Sequence, residues 1–161
     1  MFFKRKKEKK IKIYSPLNAE LIPLERVPDP VFSQKMMGEG FAFIPRNGEV
    51  VSPIDGTVTH VFPTKHAIGM QTEDGVEVFL HIGLDTVELN GEGFEINVRA
   101  GDKVRVNDSF GSFDPAFIQE KGKEIVTVLL FPNHAEKIAE MLPNITDRVE
   151  AGAEIAELTI K

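Results

Sequence analysis

This 161-residue chain has four histidines and no cysteine, which narrows the chemistry its side chains can run. Thiolate catalysis, a disulfide framework and a cysteine-based zinc site are excluded. Imidazole remains. With an unperturbed pKa of about 6.5 it is largely neutral near pH 7 and presents a nitrogen lone pair, which suits it to accept a phosphoryl group. Phosphoryl transfer asks for an acceptor held in line with its donor and for charge stabilisation on the equatorial oxygens, so positioning and electrostatics dominate. Two of the histidines, His66 and His81, fall within residues 62–94 (FPTKHAIGMQTEDGVEVFLHIGLDTVELNGEGF). One ring could accept the group while the other donates an N–H to it, and the Thr64 hydroxyl could fix the tautomer of His66. The residues alone do not choose between the two rings.

The elements that must position them read as a hairpin. Residues 67–70 and 76–82 are rich in apolar and β-branched residues, and Thr72-Glu73-Asp74-Gly75 between them is turn chemistry, with Asp-Gly a strong hairpin signal. Side chains alternate faces along a strand, so register decides whether the histidines meet. A turn centred on Glu73-Asp74 sets them directly opposite, and one centred on Asp74-Gly75 makes them diagonal neighbours, at roughly 5 Å or roughly 7–8 Å between Cβ atoms. A three-residue loop would split them across the two faces. Phe79 shares a strand face with His81, which places the pair beside an apolar surface.

The run from Gly75 to Val87 (GVEVFLHIGLDTV) closely resembles the phosphorylation-site signature of the glucose class of enzyme IIA of the bacterial phosphotransferase system. Phe62-Pro63-Thr64-Lys65-His66-Ala67 resembles the second-histidine motif of that family, Thr-x-His-Ala. The likeness continues through residues 90–94 (NGEGF) and residues 27–32 (VPDPVF), and covers roughly residues 11 to 161. It implies that His81 accepts a phosphoryl group from the phosphocarrier HPr and passes it to a cysteine on a IIB domain of a sugar permease. His66 would stabilise the group and Thr64 would orient His66. Asp29 matches an acidic position near the active histidines, and the region of Asp85 contributes acidic contacts to HPr. Val31, Phe32, Phe62, Phe79 and Val87 would form the apolar ring that docks partners and excludes water. Regulated transporters or kinases are further expected partners. No cofactor is required by this reading, though a zinc ion on His66 and His81, shared with a partner's carboxylate, is known in the family.

Other classes share parts of this pattern. Lysostaphin-like zinc peptidases are related β folds with a similar Ser-Pro-x-x-Gly-x-Val strand, but they use His-x-His, and Gly83 stands two places after His81. Two histidines also leave zinc short of the three protein ligands usual in catalytic sites. Biotinyl and lipoyl carriers need a lysine at an exposed hairpin tip, and the tip here is Glu73-Asp74-Gly75. A pure regulator with phosphorylation as its switch would use the same site as the relay.

Composition bounds the rest. Hydrophobic content of 42% with 27% charged residues is ordinary for one globular domain, and no apolar run approaches the roughly 20 residues of a membrane span. With cysteine absent, cytoplasm is the expected compartment. Net charge is −6, divided between +5 on residues 1–10 (MFFKRKKEKK) and −11 on the remainder. The acidic body argues against nucleic acid and for a basic protein partner. Residues 1–10 read as a basic, disordered tail that lacks the apolar core of a secretory signal and could rest weakly on the anionic inner face of the membrane. Some family members carry an amphipathic membrane-attaching segment there; this one is shorter and does not match it. Without IIB or IIC segments, the chain is expected to act in trans.

From Ile11 onward the chain reads as mostly β, a single-domain antiparallel β-sandwich or barrel-like fold with short helices. It carries an internal pseudo-duplication. Residues 15–21 (SPLNAEL) echo residues 52–58 (SPIDGTV), and residues 102–110 (DKVRVNDSF) echo residues 147–155 (DRVEAGAEI). Two copies are too few for a solenoid and suit a pseudo-symmetric β fold. Residues 27–40, with Val31, Phe32, Met36 and Met37 near helical spacing, read as core, a loop lid or an outward docking surface. Residues 115–121 read as a short helix with proline in its first turn, residues 125–131 as a central strand, and residues 135–141 as another short helix. His60 and His134 are assigned to structure or solvent.

Overall fold

A computed structural model describes residues 8–144 and 147–161. The strands among them are β1 (Lys10–Tyr14), β2 (Ala19–Ile22), β3 (Glu39–Pro45), β4 (Glu49–Val51), β5 (Gly56–Val61), β6 (Ala67–Thr72) and β7 (Glu77–His81). They continue with β8 (Phe94–Ile96), β9 (Lys103–Val104), β10 (Ser109–Phe113), β11 (Thr127–Phe131), β12 (Ile138–Pro143), β13 (Arg148–Val149) and β14 (Glu154–Ile160). Three short helices, α1 (Pro30–Ser33), α2 (Pro115–Glu120) and α3 (His134–Lys137), lie between them. The mostly β expectation holds, and every strand pairing is antiparallel. An eight-stranded sheet runs β13-β2-β3-β11-β7-β6-β5-β9, flanked by the three-stranded sheets β1-β14-β12 and β4-β10-β8.

The duplication is visible as repeated hydrogen bonds. The Ser15 hydroxyl donates to the Leu17 carbonyl at 2.7 Å, and the Ser52 hydroxyl donates to the Ile54 carbonyl at 2.7 Å. Ser15 N–H donates to the Ala153 carbonyl and Ser52 N–H to the Asp108 carbonyl, both at 2.8 Å. The side chains of Asn18 and Asp55 each accept a 2.9 Å bond, from Ala151 N–H and Val106 N–H. The two copies also clasp one another, because Tyr14 N–H donates to the Pro53 carbonyl and Val51 N–H donates to the Pro16 carbonyl.

Strand β11 is buried along its whole length, as expected for a central strand. Its alternate residues serve two cores. Leu129 and Phe131 join the large cluster with Phe43, Val78, Leu80, Ile68 and Met70, whereas Val128 and Leu130 join a smaller one with Leu24, Val27, Phe32, Ala42 and Leu84. The smaller cluster backs the histidines. Across this face the register aligns Ala42, Val128, His81 and Ala67 in one row and Gly40, Leu130, Phe79 and Gly69 in the next. Small residues therefore flank the two rings on either side. That leaves room for the covering segment 24–33 on one flank and for residues 62–66 on the other.

The expected short helix forms as α2 with Pro115 in its first turn, and residues 27–40 add the short helix α1; Asp29 and Asp114 cap the two by accepting from Val31 N–H and Phe117 N–H. The expected helix over residues 135–141 is corrected. α3 ends at Lys137, and the chain continues as β12, paired with β14 from Ile138 to Pro143. A seven-residue helix forms few internal hydrogen bonds, whereas a ladder beside β14 satisfies the backbone along its length, so tertiary pairing overrides local propensity. At the amino terminus, residues 1–7 of the expected basic tail lie outside the described residues. Lys10 already belongs to β1, opposite Thr159, one residue before the expected start of the domain.

Candidate active site

The hairpin of β6 and β7 closes with the loop 73–75. Thr72 N–H donates to the Val76 carbonyl, Gly75 takes a positive φ of 88°, and Ala67 stands opposite His81. This is the three-residue loop, whose register by alternation alone would send the histidines to opposite faces. They nevertheless meet, with ring centroids 4.9 Å apart at 81°. The reason lies just before the strand. His66 sits in a bend after Lys65, whose φ is +63°, so alternation along β6 does not govern the direction of its side chain. Its carbonyl still accepts from Ile82 N–H at 2.8 Å, which ties the bend to the end of β7.

Each ring is held through its Nδ1. His81 Nδ1 lies 2.7 Å from the Gly83 carbonyl. A carbonyl only accepts, so Nδ1 carries the proton and neutral His81 keeps its lone pair on Nε2. His66 Nδ1 lies 2.6 Å from the Thr64 hydroxyl. Burial pushes the His66 imidazole down to about 4, with the neighbouring His81 adding to the effect, and His66 is only 2% exposed. Burial also lowers the pKa of His81. The bond to the Gly83 carbonyl and the carboxylates of Asp29 and Asp85 oppose that shift in part. Both rings are thereby biased toward the neutral form near pH 7.

Aromatic rings surround the pair. Phe32 lies 5.2 Å from His81, Phe79 6.0 Å from His81 and Phe62 5.4 Å from His66, and Phe62 and Phe79 are 5.9 Å apart. Phe32 is 5% exposed and forms a wall behind His81, while its neighbour Val31, 38% exposed, faces outward. Asp29 doubles as the cap of α1. Asp85 adopts the left-handed conformation, φ 58°, and begins the turn that carries Val87, 49% exposed. His60 joins the margin of the cluster by packing 4.9 Å from Phe62, whereas His134 belongs to α3, away from the hairpin's histidine end. Sequence reasoning missed the Gly83 carbonyl and the buried Thr86 hydroxyl, which donates to the Ile82 carbonyl at 2.6 Å. Backbone acceptors leave no residue-type signature, and the one available signal was a glycine placed two residues after the histidine.

As for metals, no group of three or more His, Asp or Glu side chains among the described residues is arranged to hold an ion. The site can supply two imidazoles at most. Five grooves of 300–440 Å³ elsewhere on the surface are lined by neither histidine.

Residues 11–137 match the family described as phosphoenolpyruvate-dependent sugar phosphotransferase system, EIIA 1. The chain belongs to this family. A glucose-specific EIIA component of the phosphotransferase system from Staphylococcus epidermidis is 44% identical over 153 residues, covering 95% of this chain and 92% of that protein. The corresponding component of Oceanobacillus iheyensis is 53% identical over 130 residues, covering 81% and 79%. Among solved structures, the glucose permease IIA from Mycoplasma capricolum superposes with a TM-score of 0.84 at 36% identity, covering 98% of this chain and 99% of that one. As an EIIA family member, the chain is a phosphocarrier of a sugar phosphotransferase system and has partners within that system. No helix among the described residues is long and apolar enough to cross a membrane.

Proposed function

We propose that His81 accepts the phosphoryl group on Nε2 from phospho-HPr and delivers it to a cysteine of a sugar-permease IIB domain, in the cytoplasm. The observation that carries this reading is the commitment of His81 Nδ1 to the Gly83 carbonyl, which leaves Nε2 as the nucleophile. The Nε2 lone pair forms a new P–N bond as the donor's P–N bond breaks, and that electron pair stays on the donor ring. In the second step a cysteine thiolate attacks phosphorus, and the P–N bond to His81 breaks in its turn.

The surroundings support a transient carrier. His66, held neutral by burial, donates its Nε2–H to the phosphoryl oxygens if the Thr64 hydroxyl donates to its Nδ1, the arrangement the 2.6 Å contact allows. The carboxylates of Asp29 and Asp85 face the same neighbourhood and disfavour added negative charge, so basic side chains of a partner relieve them during transfer. Val31 and Val87 present apolar contact area at the rim, and Phe32, Phe62 and Phe79 stiffen the floor. A phosphoryl group adds roughly −1.5 to −2 charges to this surface, by analogy with other phosphorylated side chains, and so changes which partners it fits, including regulated transporters or kinases. A zinc ion between His66 and His81 would need further ligands from a partner.

The test is incubation with enzyme I, HPr and labelled phosphoenolpyruvate. Acid-labile, alkali-stable label that is lost in His81→Ala is the expected result. Label retained at a normal rate in His81→Ala would assign the acceptor elsewhere.

A further inference from the structure

Beyond the two rings, the backbone between Ile82 and Thr86 is held by an arrangement that no catalytic role yet uses. The Gly83–Leu84 peptide is gripped from both sides: its carbonyl accepts from His81 Nδ1 at 2.7 Å, and its N–H donates to the Glu124 carbonyl at 3.0 Å. The preceding carbonyl, that of Ile82, accepts from the Thr86 hydroxyl at 2.6 Å, and Ile82 N–H donates to the His66 carbonyl at 2.8 Å. Thr86 is 0% exposed, and its hydroxyl is spent on that one bond. Its methyl closes the other side, because a Cβ added to Gly83 would fall 2.5 Å from Thr86 Cγ2 and 2.9 Å from the Glu124 carbonyl oxygen. Gly83 has φ +75° and Asp85 has φ +58°. The chain thus reverses through two left-handed positions directly over a buried threonine. A turn with that much conformational demand keeps one carbonyl direction only while something holds it.

We propose that Thr86 is a positioning residue for the phosphoryl acceptor: its hydroxyl locks the Ile82–Gly83 backbone so that the Gly83 carbonyl fixes the Nδ1–H tautomer of His81. The inference rests on the reading of His81 as acceptor. Thr86 acts through the backbone, by the bond of its hydroxyl to the Ile82 carbonyl. An imidazole that loses its orienting acceptor samples the other tautomer, with the proton on Nε2 and no lone pair there to attack phosphorus.

The experiment uses the full chain carrying Thr86→Val, which keeps the shape and removes the hydroxyl, and Thr86→Ser, which keeps the hydroxyl. Nitrogen-detected NMR of the imidazoles reports the His81 tautomer without any phosphoryl donor, and labelled phosphoenolpyruvate with enzyme I and HPr reports the acceptance rate. Wild type and Thr86→Ser are expected to hold His81 as a single Nδ1–H tautomer. Thr86→Val is expected to show mixed tautomers and acceptance slower by about 10–100-fold, the usual range for loss of a group that orients a functional imidazole. If Thr86→Val does not fold, Thr86→Ala carries the same arm. A folded Thr86→Val or Thr86→Ala with the wild-type tautomer and rate overturns the proposal. So does a Thr86→Ser variant as slow as Thr86→Val with its tautomer unchanged, which would make the effect one of packing. Absence of label on wild type would instead overturn the acceptor reading, and the tautomer comparison would still decide the role of Thr86.

Discussion

The duplicated Ser-Pro units and the histidine hairpin use hydroxyls and buried polar groups in opposite ways. In the duplicated units each polar group is consumed: Ser15 and Ser52 are fully buried, each donates to the carbonyl two residues on, and the same bonds recur at the same lengths in both copies. In the hairpin, two buried or half-buried imidazoles each have Nδ1 engaged, and neither shows a hydrogen-bond partner for Nε2 among the described residues. Regular, repeated satisfaction of hydrogen bonds makes a scaffold. The histidine end is built from departures, namely left-handed Lys65, Gly83 and Asp85, and from rings biased to the neutral form by burial. Damage to the first region should appear in stability and damage to the second in transfer.

The largest effect expected is at His81, the proposed acceptor. His81→Ala should reduce phosphoryl uptake to background while leaving the urea unfolding midpoint close to wild type, read by label incorporation and denaturation on the same sample. His66→Ala should still take up label. Its onward transfer to a IIB domain should fall by about 10²–10³-fold, the scale for losing one preorganised donor to developing charge. A His66→Ala variant that transfers at the wild-type rate would move the stabilising role to another group.

A third expectation uses pH to separate the regions. His66 has a folded pKa of about 4 against about 6.5 when unfolded, so between those values the unfolded chain binds the extra proton. Stability from this group is complete above about pH 6.5 and is lost as pH falls toward 4, by about 3 kcal/mol at most. Urea melts at pH 7 and pH 4.5 should show a smaller loss in His66→Gln than in wild type. Ser52→Ala should keep the wild-type pH slope, since its hydroxyl does not titrate.

Much of this is legible in the sequence itself. The Asp-Gly turn and the flanking β-branched runs announce the hairpin, and the Ser-Pro echo announces the duplication, because turn chemistry and repeated side chains are local features. The proximity of His66 and His81 was readable only conditionally. The observed three-residue loop is the register that should have separated them, and the rescue comes from a left-handed lysine, a conformation that residue type does not signal. The Gly83 carbonyl was invisible for a related reason, since every residue has a carbonyl and only the fold aims this one. Residues 138–141 read as helix in the sequence but form strand because β14, which recruits them, lies more than ten residues downstream.

The smallest effect sharpens the comparison from the scaffold side. Ser15→Ala and Ser52→Ala each leave a buried carbonyl without its side-chain donor, and each should cost about 1–3 kcal/mol in urea unfolding. Their near-identical geometry predicts near-identical losses. Because the Tyr14–Pro53 and Val51–Pro16 backbone bonds link the two turns, the first substitution loosens a contact that the second also depends on. The double variant should therefore lose less than the sum of the singles, by about 0.5 kcal/mol or more, as expected for sites that share partners. Phosphoryl uptake should stay at the wild-type rate in all three folded variants. Strict additivity would mean that the two copies are independent units side by side, and a fall in uptake would mean that the scaffold and the histidine end are coupled through the sheet.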